Sequence, residues 1–529
     1  MYSVILLVLF LTYSQCNLSV DGNDKNNINT CKNGKLPCKS IAEVGDVIQC
    51  LDNGTLYIPR GKWGYVSSKS GLLETIVCPK SYCKCYIGCE DYCQFNKSKQ
   101  CSSNREGILC SKCSKGYSVS LFSEECKICN NYWMLLLIPS LILFLFLVVL
   151  FLFHFDVDAF SGYLNVYFYW YQMVDIFIPG NTQLHSSTRF LIGFFSLTGT
   201  GGTVGLCFFN GMNNLTKLGL NYLPPIFFIL IALIFGVLIS PSVWIKLFCR
   251  NSDKSLNEEQ CRKRRESSYG RAMSFVIVVT FSQIITVTLK LLHPVKIDGK
   301  LYVFEAAFAE FFRDPMHIFL GIIAVCFAVI ILLFFILLIF TPTSGKGKYI
   351  APVFEALKSC FNQSKIIGNR YEECQVENKS YYQRMFAAFY FICRVIMLII
   401  AVAVQNEVTK LVFLSLASVT FLTIFSIFQP YRNRSFNYWD ISVLFLMCIV
   451  SLFCLILSVP FFTSESLRNS IKVILQIIVW YPLLSMIFRL VLWKYNQRKR
   501  KIKNSSPHFG RESVKSLVSL PVRGVEGML

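Results

Sequence analysis

Eight stretches of this chain are apolar runs close to the roughly 20 residues with which a helix crosses a bilayer core. They are residues 132–155, 223–247, 272–292, 316–340, 385–404, 411–428, 441–459 and 471–493. No other feature limits the fold so severely. One soluble core cannot absorb so many long apolar helices, whereas in lipid each helix satisfies its own backbone and can face hydrocarbon. Composition agrees: 54% of the residues are hydrophobic and 16% charged, against roughly 25% charged in an average soluble domain. A large soluble enzyme and a long disordered chain are both excluded. The fold class is an all-α transmembrane bundle with a small disulfide-rich extracellular domain.

Orientation follows from the lysines and arginines. Residues 4–11 are apolar but too short to span, and Ser14-Gln15-Cys16 supplies small residues for cleavage, so 1–16 reads as a secretory signal peptide. With the N-terminus outside, eight spans would leave the tail outside too. The basic stretch from Lys494 to Lys501 and the run Arg262-Lys263-Arg264-Arg265 require the opposite, because basic residues beside span ends stay cytoplasmic. A ninth span is therefore needed, and 159–178 is the best candidate despite Asn165, Gln172 and Asp175. Loops 246–271 and 346–384, with eight and seven basic residues, then fall inside, while 180–222 and 293–315 fall outside. Segment 190–209, with its Thr/Gly run from Thr198 to Gly205, is predicted to lie on or dip into the outer membrane surface. A filter of backbone carbonyls is the second reading of that run.

Thirteen cysteines lie between the signal peptide and the first long run: Cys31, Cys38, Cys50, Cys78, Cys83, Cys85, Cys89, Cys93, Cys101, Cys110, Cys113, Cys126 and Cys129. Behind a signal peptide, that density means an oxidising compartment and a disulfide framework. The pairs Cys110/Cys113 and Cys126/Cys129 have zinc-ligand spacing, but the exported context favours disulfides. Thirteen is odd, and Cys207, on the same side, is predicted to tie the ectodomain to the membrane domain. Sequons at Asn17, Asn53, Asn96 and Asn214 lie outside, open to glycosylation; those at Asn362, Asn378, Asn433 and Asn504 fall inside and stay silent.

Polar groups at membrane depth are costly and therefore informative. Asn165, Gln172 and Asp175 share one face of the second span; Gln283, Thr286 and Lys290 share one face of the fourth. Both spans run outward, so Asp175 and Lys290 reach similar height near the outer surface and are predicted to pair. Arg394 lies about nine residues into its span, near mid-membrane at about 1.5 Å per residue. It should face the bundle interior or a wet cavity. Asp440 opens the eighth span at the inner face and is placed to pair with Arg489.

Catalysis finds no footing: the five histidines are scattered, and no nucleophile elbow, phosphate loop or dinucleotide fingerprint occurs. The chain is predicted to be no enzyme and to need no cofactor or metal. Most of its net charge of +21 sits in the cytoplasmic loops and tail, where it orients spans and attracts anionic membrane lipid. Nucleic acid is not an expected partner.

The stretch Cys101-Ser-Ser-Asn104-Arg-Glu-Gly107-Ile-Leu-Cys110-Ser-Lys-Cys113-Ser-Lys-Gly116-Tyr117 resembles half of a laminin-type EGF module. Cys126-Lys-Ile-Cys129-Asn-Asn-Tyr132-Trp133 follows and leads straight into the membrane. This junction resembles a group of uncharacterised multi-pass proteins of invertebrates and protists. In that group a cysteine-rich ectodomain joins a membrane domain distantly similar to transient-receptor-potential-like channels. Shorter matches are Cys207 to Met212, Pro352 to Ala356, Tyr381 to Arg394, and Pro430-Tyr431 before Trp439-Asp440. The resemblance implies architecture rather than activity.

The organisation expected is therefore a signal peptide (1–16), a cysteine-rich ectodomain (17–131, EGF-like over 100–129), a membrane domain (132–494) and a basic cytoplasmic tail (495–529). It suits a plasma-membrane receptor or sensor for an unidentified extracellular ligand or ion, with an ion channel or transporter as the alternative. Against the channel, 460–470 has no Gly and is short for a pore loop between the last two spans.

Overall fold

In a computed structural model, the described residues are 49–50, 56–59, 61–69, 73–79, 82–83, 92–94, 100–120, 124–129, 136–155, 162–178, 184–196, 209–238, 258–340, 381–429, 434–458 and 465–505. Asn17, Asn53, Asn96, Cys31, Cys38, Cys85, Cys89 and Cys207 lie outside them, as do the side chains of Cys50, Cys93, Asn165 and Arg489. Two units make up the chain, Met1–Trp480 and Tyr481–Leu529.

Eleven helices are described: α1 Leu137–Phe155, α2 Gly162–Phe177, α3 Ser186–Ser196, α4 Asn214–Leu220, α5 Leu223–Leu238, α6 Glu258–Leu291, α7 Pro315–Phe340, α8 Tyr381–Ala403, α9 Glu407–Phe428, α10 Arg434–Ser458 and α11 Glu465–Ser505. Five segments are long and apolar enough to cross a membrane: Asn214–Ile234, Pro315–Leu333, Glu407–Phe428, Asn437–Ser458 and Ser466–Phe488. Shorter apolar stretches are Ile138–Phe151, Phe275–Leu291 and Phe389–Ala403. A mostly helical membrane protein accounts for these helices. Their outward faces, such as Leu143, Leu147 and Phe151 on α1 or Phe319 and Ile322 on α7, are exposed and apolar. That is the pattern for a surface whose solvent is lipid.

Helix α2 is the axis of the first unit. Every residue from Val166 to Val174 is buried, because α3, α6, α8 and α10 all pack around it. Its polar and aromatic sequence, low in hydropathy for a span, follows from facing protein on all sides. Helix α6 begins 14 residues before the predicted span at residue 272. Glu, Gln, Arg and Lys in 258–265 are good helix formers and carry the helix through the basic run. Of segment 190–209, residues up to Ser196 belong to α3, where Leu191 and Ile192 are buried; 197–208 lie outside the described residues.

Short antiparallel strands build the cysteine-rich head. β1 (Gln49–Cys50), β2 (Leu56–Pro59) and β5 (Tyr92–Gln94) form one sheet; β3 (Lys62–Val66) pairs with β4 (Leu73–Val77), β6 (Arg105–Glu106) with β7 (Lys112–Cys113), and β8 (Ser118–Val119) with β9 (Cys126–Lys127). Disulfides join Cys78 to Cys83, Cys101 to Cys110 and Cys113 to Cys126. Cys78, Cys83 and Cys110 place their sulfurs within 4.8 Å of one another, but each is already in a disulfide, so none is a free thiolate for zinc. Cys129 is disulfide-bonded as well.

The external loop predicted at 293–315 is a folded element. β10 (Pro294–Ile297), β11 (Lys300–Val303) and β12 (Ala306–Glu310) form an antiparallel sheet. Ile297 pairs with Lys300 across Asp298-Gly299, whose φ angles of 49° and 85° give the primed two-residue turn that matches strand twist.

Both faces of this sheet are covered. Val295, Ile297 and Ala307 pack into the head core with Trp63, Tyr82, Leu109 and the Cys78–Cys83 disulfide. Val303, Ala306 and Ala309 pack with Leu215 and Leu218 of α4, Leu291 of α6 and Leu320 of α7. Adjacent Ala306 and Ala307 are therefore both buried, against the usual alternation of a one-sided strand. The hairpin is the layer through which head and helices share a core.

Candidate functional site

Around that hairpin lies a cluster of charges. Arg105, buried on β6, donates through Nε to Glu124 O at 3.1 Å and through Nη1 to Cys110 O at 3.1 Å, and bonds Glu124 O again through Nη2. Its guanidinium also sits 3.8 Å from the Tyr82 ring centroid. From α4, Lys217 Nζ reaches Glu124 Oε1 at 3.0 Å; from the C-terminal end of α6, Lys290 Nζ reaches Glu305 Oε1 at 2.7 Å. Tyr82 Oη donates to Glu305 O, closing the ring between head and hairpin.

Burial alone would raise the Glu124 carboxyl. The charges of Lys217, Lys290 and Arg105 and the Lys217 hydrogen bond overcome it and hold the group down at about 2. Burial, followed by the Glu124 charge, pushes the Tyr82 hydroxyl well up, so it stays a neutral donor.

Polar contacts complete the seam. Asn214 Nδ2 donates to Ser111 O at 2.7 Å and to Glu305 O at 3.2 Å. Val119 N donates to Met212 O, and Gly211 N to Ser118 Oγ. At the hairpin tip, Ser68 N donates to Asp298 Oδ1 at 3.1 Å. Asn214 is thereby corrected as a glycosylation candidate: it is 2% exposed and its amide already donates twice, so the folded chain offers a glycan no access.

Below the seam a series of buried polar contacts continues along α6. Tyr222 Oη and Thr288 Oγ1 lie 2.9 Å apart, and Gln283 Nε2 donates to Asn221 O at 2.9 Å. Deeper, Ser282 Oγ donates to Gln172 Oε1 at 2.7 Å, and Arg394 Nη1 donates to the same oxygen and to Val278 O, each at 3.1 Å. Gln172 Nε2 returns to α6 through Val279 O at 3.0 Å. The guanidinium of Arg394 also faces the Tyr169 ring, 5.4 Å from its centroid. The Tyr169 ring meets Tyr390 edge-on at 5.3 Å, and Tyr390 Oη donates to Asp440 Oδ1 at 2.5 Å.

The sequence candidates are thus sorted by geometry. Gln172 and Arg394 come together, and Arg394 does face the bundle interior, 1% exposed. Gln283 lies one helical turn further out. Lys290 takes Glu305 as a direct partner, because the hairpin brings a carboxylate to the C-terminal end of α6, and the charge of Asp175 acts on it as well. Asp440 is bonded by Tyr390.

Sequence reasoning missed Glu124, Lys217, Glu305, Tyr169 and Tyr390. One local signal was available: Asp298-Gly299 between the alternating Val295-Lys296-Ile297 and Leu301-Tyr302-Val303 marks a hairpin, and with it a folded platform for Glu305. No protein-family model, curated protein or solved structure matches this chain.

Proposed function

We propose that the chain is a multi-pass cell-surface sensor in which the disulfide-stapled head is coupled to the helix bundle through the β10–β12 hairpin. The observation that carries this is the hairpin's double burial, one face in the head core and the other against α4, α6 and α7. A head merely tethered by a linker would need neither that shared core nor the paired charges of Glu124, Lys217, Lys290 and Glu305. Force or occupancy on the head reaches α6 directly, and the contacts through Gln172, Arg394 and Tyr390 extend from α6 to α2, α8 and α10. On this reading the membrane is the plasma membrane, the head faces outward and nine helices cross it, α2 among them.

The channel or transporter reading draws on the same line of buried polar groups. Weighing against a filter of the transient-receptor-potential kind, α10 ends at Ser458 and α11 begins at Glu465. The residues between them are too few for a pore helix and filter.

The test uses the full-length chain in lipid nanodiscs and an antibody fragment raised against the head. Binding is expected to change amide exchange in the inner halves of α8 and α10. A change confined to the epitope would overturn the coupling. In patch-clamp recording, a reproducible current abolished by Arg394→Ala would move the reading to conduction.

A further inference from the structure

The line of buried polar groups ends on a carboxyl that is only half satisfied. Asp440 is 1% exposed; Oδ1 accepts from Tyr390, while Oδ2 is buried without a hydrogen-bond partner. Among the described residues, no lysine or arginine forms an ion pair with it. A bare carboxylate oxygen at membrane depth costs several kcal/mol, so something must supply positive charge there.

The surrounding atoms specify what kind. Tyr390 Oη from α8 touches the carboxyl, and the Tyr169 hydroxyl from α2 lies within range of its charge. These are carboxylate and hydroxyl oxygens, donors suited to a hard cation. The Cys393 and Cys448 thiols belong to the same neighbourhood. They do not join Asp440 in a trio of ligand atoms close enough to hold a metal, which disfavours a thiophilic ion. One carboxylate balances one charge. Arg394, whose guanidinium faces Tyr169, adds positive potential that disfavours a divalent ion.

We propose that Asp440, with oxygens from Tyr390 and Tyr169, forms an intramembrane site for one alkali cation, Na⁺ or K⁺, reached from the cytoplasmic end of α10. The site locks α2, α8 and α10 together when filled. It goes beyond the coupling of head to bundle and does not depend on it.

The test is the unfolding midpoint of the full-length chain in detergent at pH 7.5, in NaCl or KCl against choline chloride at equal ionic strength. A saturable rise on the order of 3 °C is expected at a hundredfold excess of cation over its dissociation constant. Asp440→Asn should abolish the rise, and Glu124→Gln in the head should keep it. If the asparagine variant does not fold, Tyr390→Phe should weaken the apparent affinity severalfold. Equal midpoints of the wild-type chain in choline and alkali salts would overturn the site. So would a midpoint that follows pH but no alkali cation, since a proton would then occupy Oδ2.

Discussion

The end of the buried polar path beside the head (outer) and the end farthest from it (inner) are built on opposite plans. At the outer end Lys217 pairs with Glu124 and Lys290 with Glu305, while the Glu124 and Cys110 carbonyls hold Arg105, across the seam between head, hairpin and helices. At the inner end Asp440 has a single hydroxyl donor and no counter-charge among the described residues. A closed network rigidifies, because loss of any member strands its partners in a poorly solvated place. An open one can accept an ion or a proton. The outer end therefore holds the head in register, and the inner end is where the bundle can change.

The strongest challenge to this contrast is Arg105→Ala. It removes three donations and a ring contact from a buried site. The expected loss is about 3–5 kcal/mol, read as a lower unfolding midpoint of the full-length chain. A near-neutral result would mean that the outer network is ornamental. Arg394→Leu comes next, at about 2–4 kcal/mol, because Gln172 Oε1 and Val278 O lose their shared donor.

Acid offers a milder probe. The Glu124 carboxyl is depressed to about 2 when folded, so its contribution is fully present above the ordinary glutamate range. That contribution is lost as pH falls from there toward 2. The unfolding free energy should drop between roughly pH 5 and pH 2, by about 2 kcal/mol at most after allowing for partial exposure. Lys217→Met should flatten that dependence. The smallest effect is expected of Asp440→Asn in choline salt, below about 1 kcal/mol, since the amide can still accept from Tyr390 and no ion pair is broken. A loss as large as that of Arg105→Ala would erase the distinction between the two ends.

Much of the architecture was legible in the amino-acid order because its causes are local. Apolar runs of bilayer length announce α7, α9, α10 and α11, and the cysteine density announces the disulfide-stapled head. Helix α2 was recognisable only through charge parity, since its polar residues answer to neighbours distant in sequence. The pairing of Gln172 with Arg394, 222 residues apart, shows the same limit. Periodicity says which residues share a face, not which helix that face will meet. Lys290 illustrates the point: equal height in the membrane suggested Asp175, and nothing local announced the ion pair with Glu305 of the hairpin. Asn214 carried a valid sequon, and only tertiary burial withdraws it.

The most direct measurement is backbone amide exchange over 294–310 in the full-length chain in nanodiscs. If the hairpin is a shared core layer, the amides of β10, β11 and β12 will exchange about as slowly as those in the outer turns of α6. Exchange at the rate of a free surface loop, with α6 still protected, would show that the head is only tethered and would contradict the coupling.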